Sequence, residues 1–476
     1  MKVKLTLLLL MTATWLRAQE SSGSQEFTLQ QCIDYALANN VNAQNAKLDE
    51  EIAKARVKET VGIGLPQISG TVTAQQSPTQ QRFFTQYTAG GQSFFIDDAT
   101  AAQLGMEDGD VAALENIFAL KGNGDANLNI NQIIFNGSYI VGLQASKAYK
   151  DLSVKQANQT KEDVVLQVSK AFYNLLIMEE RLDMIQSNLG RLDTLYRNTK
   201  AMQENGFAEQ LDVDRIRVSL NNLKVSLQDL QSMYDISVKL LKFQMNYPYD
   251  QDLVLAGELE DVALTELEMP SNEVSYAERP DYQVMLANKE LQELNIKNKY
   301  AEAIPSISAF ATLGYNTQSP DFGGIFTTQA SFEGNDRIGP DKWYGYSALG
   351  LRLNWNLFTG LQRSYQIQQE KLSLLKIENG LDAMEKSIDL EVAQAKANLS
   401  NAVSKLEVQQ ESMDLASNIF DITQIKYEEG VGSNLEVVEA DNSYKEAQTN
   451  YYSALYDAII AQLELKKAIG NLYNQQ

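Results

Sequence analysis

Gly206-Phe-Ala-Glu-Gln-Leu211-Asp212-Val213 and Gly430-Val-Gly-Ser433-Asn-Leu435-Glu436-Val437 carry the same turn pattern twice, 224 residues apart. In each, a glycine is followed at fixed spacing by leucine, a carboxylate and valine. Moving upstream, Leu128-Asn-Ile130-Asn131 with Phe135-Asn-Gly137 returns as Leu351-Arg-Leu353-Asn354 with Phe358-Thr-Gly360, an offset of 223. Further upstream, Asn40-Val-Asn-Ala leads to Leu65-Pro66-Gln-Ile68-Ser as Arg279-Pro-Asp-Tyr leads to Ile304-Pro305-Ser-Ile307-Ser, an offset of 239. Recurrence at nearly constant offset signals duplicated units, and the step from 239 to 223 gives the first copy a loop 16 residues longer.

Between Gly137 and Gly206, and again between Gly360 and Gly430, there is no proline, and glycine is confined to Gly142, Gly190 and Gly380. Each interval can therefore be one nearly unbroken helix, about 100 Å long at 1.5 Å per residue. Apolar residues recur every seventh position: Val168, Leu175, Leu182, Leu189 and Tyr196 in the first copy, Leu399, Leu406, Met413, Phe420 and Tyr427 in the second. After each glycine turn a returning helix carries its own row, Val213, Leu220, Leu227, Tyr234 and Leu241, then Val437, Tyr444, Tyr451, Ala458 and Leu465. Beside the last row runs Ala440, Ala447, Ala454, Ala461 and Ala468. Such rows predict antiparallel coiled coils, and a seven-spaced alanine stripe lets helices approach closely and leaves little room for a catalytic pocket.

Ahead of each long helix lie two strand-like segments in which apolar and polar residues alternate, strictly in the clearest and more weakly around Leu128 and Ile130. Leu351-Arg-Leu353-Asn-Trp355-Asn-Leu357 is the clearest, with Leu128 and Ile130 set among asparagines, Ile68 to Ala74, and Ile307 to Tyr315 completing the set. Alternation fits a half-buried soluble sheet or a membrane barrel with a wet lumen. Closed membrane barrels need about eight strands at least, so four strands require partner chains if they form one.

Composition narrows the function. There is no histidine, which removes the commonest general base and zinc ligand and every histidine-containing triad. A net charge of −22 repels nucleic acid. Residues 1–18, with Lys2 and Lys4 ahead of a short leucine run and Leu16-Arg17-Ala18 before Gln19, are expected to be a signal peptide. Gln19 rather than a cysteine directly follows the cleavage point, so lipidation is not expected. Cys32 has no partner for a disulfide and is expected in a core. Beyond residue 18 no apolar run is long enough for a spanning helix, so a membrane could be crossed only by strands.

These residues resemble the TolC-like outer-membrane efflux proteins over nearly the whole chain: Thr28-Leu29 with Ala36-Leu37-Ala38-Asn39-Asn40, the two x-Pro-x-Ile-Ser segments, the two Phe-x-Gly segments, Tyr427-x2-Gly430-x2-Ser433-x-Leu435-Glu436-Val437-x2-Ala440, and Leu463-x-Leu465-x2-Ala468-Ile469-Gly470. The resemblance implies a mainly α protein in which long antiparallel helices form an α-barrel. It also implies a homotrimer with twelve strands closing one transmembrane β-barrel, a periplasmic adaptor and inner-membrane pump docked on the helical tip, and no cofactor or chemistry of its own. The corresponding map places repeat 1 at 19–246, with a surface loop 75–126, a long helix 138–205 and a return helix 211–245. An acidic linker follows at 247–275. Repeat 2 covers 276–472, with helices 361–429 and 434–469, and a tail closes the chain at 473–476. The family's acidic mouth maps onto Glu436 and Glu439, with Asp212 from the first copy. Its docking turns map onto Gly206, Leu211, Val213, Gly430, Ser433, Leu435 and Val437.

For the acids an ordinary reading competes. First-turn carboxylates compensate the helix dipole, and Ser433-Asn-Leu-Glu436 is a capping box that would commit Glu436 to its own backbone, with Asp214 serving the dipole. Gly206 and Gly430 are expected in left-handed conformation, with Lys200 and Lys426 near the helix ends. Residues 75–126 and 316–342 are expected at the cell surface, and Trp343, Tyr344, Tyr346 and Trp355 in an aromatic belt or a core. The competing function is a secreted coiled-coil structural or adhesive protein.

Overall fold

The computed structural model describes residues 26–91, 95–116, 118–257, 275–327 and 343–472. The expected signal peptide, most of the acidic linker, part of the second surface loop and the tail lie outside the described residues.

In chain order the elements are β1 (Glu26–Phe27), α1 (Leu29–Asn39), α2 (Val41–Ile63), β2 (Gln67–Gln76), β3 (Phe83–Gln86), α3 (Asp98–Leu104), β4 (Val111–Leu114), β5 (Gly122–Phe135), α4 (Gly137–Glu204), α5 (Gln210–Met245), β6 (Val254–Leu255), α6 (Pro280–Ala301), β7 (Ser306–Ser319), α7 (Gly324–Thr327), β8 (Tyr344–Asn354), α8 (Gln362–Glu428) and α9 (Asn434–Ala468). The opening segment of the first repeat is divided into two helices. Asn40 adopts an extended backbone, and its Oδ1 accepts the N–H groups of Asn42 and Ala43 at 2.8 and 3.4 Å, so it ends α1 and caps α2. The expected loop 75–126 is too wide. Backbone pairing carries β2 to Gln76 and starts β5 at Gly122, and between them stands a β3–β4 hairpin closed over Tyr87, Ile96 and Ala101.

The chain divides into two compact units, one drawing on residues up to 55, 147–293 and from 372 onward, the other on 56–146 and 294–371. The second unit holds a four-stranded antiparallel sheet in the order β2-β5-β7-β8. Residues directly opposite one another share a face. Ile68 pairs with Ile130, Leu128 with Leu313, Ala311 with Leu349, Ala309 with Leu351 and Ile307 with Leu353, which makes one face apolar. One residue along, Ser69 pairs with Asn129, Thr71 with Asn127 and Thr73 with Asp125, which makes the other face polar. The polar face is hydrogen-bonded within itself: Thr312 Oγ1 donates to Asn129 at 2.8 Å, Tyr346 Oη to Asp125 at 2.7 Å and Asn129 to Asn127 at 2.6 Å, while the Arg352 guanidinium lies over the Phe310 ring. The apolar face is bare, with Leu349 85% and Val72 80% exposed. A water-soluble sheet reverses this arrangement and hides the apolar side. From Leu353 to the level of Tyr315, opposite Gly345, the apolar face runs about 26 Å along the strand, close to the roughly 25 Å apolar band of outer-membrane barrels. No described helix is long and apolar enough to cross a membrane.

The first unit is helical, and its heptad rows form its core. Val168, Leu175, Leu399, Leu465 and Leu241 are at most 1% exposed, and the five alanines of the α9 stripe are all buried. Cys32 is fully buried in the same core, and burial pushes its thiol up to about 12. At the start of the second repeat the buried Arg279 guanidinium donates to Asp281 at 2.8 Å, to the Ala468 carbonyl at 2.7 Å and pairs with Glu391 at 2.9 Å. It thereby joins the entry of α6 to the end of α9. Gly470, left-handed at φ 79°, passes so close that a Cβ would come within 3.1 Å of Arg279 Cγ. Near this clamp Glu162 is buried, and desolvation raises its carboxyl to about 7. Lys467 and Arg279 oppose that rise; Asp281 and Asp163 add to it.

Two outcomes follow from this core. Replacing fully buried Ala454 by leucine overpacks the stripe and costs about 1–3 kcal/mol, measurable as earlier urea unfolding in detergent. Glu162, protonated more readily folded than unfolded, contributes stability that is complete below pH 4.5 and is lost as pH rises through about 7. Glu162→Gln flattens that part of the stability–pH profile, and an unchanged slope would refute the assignment.

Candidate functional site at the helix-hairpin tips

Each long helix ends in the same hydrogen-bonded turn. Gly206 and Gly430 sit at φ 81° and 75°, a conformation that glycine enters without steric penalty. In the first tip the Gly206 N–H donates to the Gln203 carbonyl at 3.0 Å and Phe207 N–H to Met202 at 2.8 Å; in the second, Gly430 donates to Tyr427 at 3.0 Å and Val431 to Lys426 at 2.9 Å. These are the two paired bonds of a Schellman ending, formed identically in both copies. Lys426 lies in the last turn of α8, and Lys200 stands 4.0 Å from Glu204.

The returning helices begin differently, and the difference redistributes the acids. Ser433 caps α9 by accepting the Glu436 N–H at 3.3 Å, but the reciprocal bond expected of a capping box does not form, so the Glu436 carboxylate remains exposed, as does that of Glu439. In the first copy Glu209 occupies the cap position, and Asp212 reaches back to accept its N–H at 3.3 Å while facing Arg215 at 3.8 Å. Asp212 is thus engaged with its own helix end, and Asp214 accepts from Gln210 at 3.0 Å. Of the three acids mapped to the mouth, the two exposed ones, Glu436 and Glu439, come from the second copy.

The apolar tip residues also separate. Leu211 and Leu435 are about half exposed, whereas Val213 and Val437 are buried, Val437 in a cluster with Leu192, Leu195, Ile216, Leu220 and Phe420. The place of Val213 and Val437 in the row turns their side chains inward, and the leucine two residues before each is the one that reaches the surface. Between the tips lies a groove of about 480 Å³ lined by Met202, Phe207, Asp212, Arg215, Tyr427 and Asn434.

Two buried polar ties at this end were not anticipated. Tyr427 Oη and Thr199 Oγ1 meet at 3.3 Å, joining the end of α8 to that of α4. Farther from the turn Asn188 donates to Gln448 at 2.9 Å, accepts from Arg191, and that guanidinium lies 5.0 Å from the centre of the Tyr444 ring and 5.5 Å from that of Phe420. The signal was present, since Arg181, Asn188, Leu195 and Met202 fall seven apart and put polar side chains in an inward row. Among the described residues no cluster of carboxylates and cysteine is arranged to hold a metal ion.

Known proteins share this construction. The chain is 19% identical to the outer membrane protein TolC of Vibrio cholerae over 352 residues, 74% of this chain and 77% of that protein. Its fold superposes on the crystal structure of CusC with a TM-score of 0.70 at 15% identity, covering 95% of both chains. The outer membrane protein VceC of Vibrio cholerae superposes with a TM-score of 0.68, also at 15% identity, covering 93% of this chain and 96% of that one. The family model described as outer membrane efflux protein matches residues 32–245 and 274–471, in step with the two copies, and the chain belongs to that family.

Proposed function

We propose that the protein is the outer-membrane channel of a tripartite efflux or type I secretion assembly, conducting substrate passively from an inner-membrane pump and its periplasmic adaptor to the cell exterior. The observation that carries this reading is the two-faced sheet, apolar and bare on one side and lined with asparagine, serine and threonine on the other. A lipid-facing wall with an aqueous lumen needs that division. A secreted coiled-coil protein would gain nothing from displaying it.

The sheet leaves β2 and β8 with unpaired edges. Unpaired backbone groups are too costly in hydrocarbon, so three copies would close twelve strands into one barrel. The helices support the same trimer: Leu211, Val218 and Val225 on α5, and Val408, Leu415 and Ile422 on α8, are seven-spaced apolar rows about 53–60% exposed in the single chain. Neighbouring copies would cover these rows as coiled-coil seams. The tip turns at Gly206 and Gly430, with Leu211, Ser433 and Leu435 at their surface, are the docking site for the adaptor. Three copies of Glu436 and Glu439 would ring the mouth with negative charge that favours cations.

Alkaline carbonate washing tests the membrane assignment: the protein is expected to stay in the membrane pellet, and release into the supernatant would end the conduit reading. At the mouth, replacing Glu436 and Glu439 by alanine is expected to weaken block of single-channel current by divalent cations in planar bilayers. Asp212→Ala, which removes an already engaged carboxylate, is expected to change block less. Equal block in all three proteins would rule out the acidic ring.

A further inference from the structure

The second surface segment carries a short aromatic knob beside the barrel strands. Asp321 Oδ1 accepts the Gly324 N–H at 2.8 Å and starts α7, whose Ile325 is 1% exposed and packs on β5 and β7. Gly124 is the seat. A Cβ there would come within 2.9 Å of both Ile325 Cγ2 and Trp343 Cη2 and 2.8 Å of Thr317 Cγ2, so the missing side chain lets the turn lie flat. Trp343 Nε1 donates to the Ile325 carbonyl at 3.3 Å and fastens it.

Gly124 and Thr317 face each other across β5 and β7, four residues along from the Leu128–Leu313 pair and therefore on the same side of the sheet, so α7 sits on the apolar side. Phe322 and Phe326, 45% and 67% exposed, hold their rings 5.2 Å apart on this turn. They extend the apolar face past Tyr315. Because β5 and β7 are the two central strands, a neighbouring copy adding to β2 or β8 would not cover them. Trp355, donating to the Ala303 carbonyl at 3.1 Å, marks the opposite end of the same face.

We propose that Phe322 and Phe326 form a lipid anchor that inserts into the acyl boundary of the outer leaflet, holding this part of the surface segment against the bilayer beside the barrel and away from its mouth. The proposal rests on the apolar sheet face being lipid-facing, so the test carries a control on that face. Cys32 is fully buried with an unreactive thiol, which leaves an introduced cysteine as the one accessible label site in the full-length protein. A fluorophore on Phe326→Cys, with Phe322→Cys as a second position should the first fail to fold, is compared with one on Leu351→Cys in proteoliposomes.

Insertion about 5–10 Å into the headgroup and acyl boundary predicts at least about twofold loss of fluorescence with nitroxide-labelled lipid and little with aqueous iodide at the phenylalanine positions. Quenching by iodide alone at Phe326 and Phe322, with Leu351 still quenched from the lipid, would overturn the anchor. Iodide quenching at all three positions would overturn the lipid-facing sheet itself.

Discussion

Hydrocarbon offers no hydrogen-bond partner to a peptide group, and much of this chain can be understood from that constraint. Each strand must pair on both sides, yet β2 and β8 have free edges in the four-stranded sheet. A single chain with such a sheet has no stable place in a bilayer. The duplication supplies two strand pairs in register, and the exposed apolar rows on α5 and α8 supply helical contacts that would bring further copies together. Under the proposed function, the sheet edges and the exposed helical rows ask for the same oligomer.

The helical unit meets a different constraint, which is to keep long rods in register over many turns. Small residues do this along α9, where five buried alanines allow close approach, and buried polar pairs do it toward the tips. Asn188 with Gln448, and Tyr427 with Thr199, are satisfied only at one relative position of their helices. Apolar rows alone tolerate slippage by a heptad. A buried amide paired across two helices does not, because slippage leaves it without a partner.

The acids show how local capping redistributes a motif. Glu436 and Asp212 occupy equivalent places in the repeat, and the capping-box pattern in the sequence pointed to Glu436 as the one engaged with its helix end. With Ser433 at the cap, Glu436 stays out of its helix end, whereas with Glu209 there Asp212 accepts the cap N–H. In the same way Val213 and Leu211, two residues apart in one turn, took opposite sides of the tip wall.

Much was legible from sequence because helices and strands declare themselves by period. Rows at seven and alternation at two identified the long rods, the glycine turns and the two faces of the sheet, and the repeated offsets showed that these came twice. Other features depend on partners distant in the chain. Asn40 dividing the opening helix, the hairpin within the first surface segment, the Arg279 clamp on Ala468 and the seat of Ile325 over Gly124 leave no periodic trace. Patterning is a property of neighbours along one chain, whereas a cap, a clamp or a glycine seat is settled only when a second segment arrives to fill it.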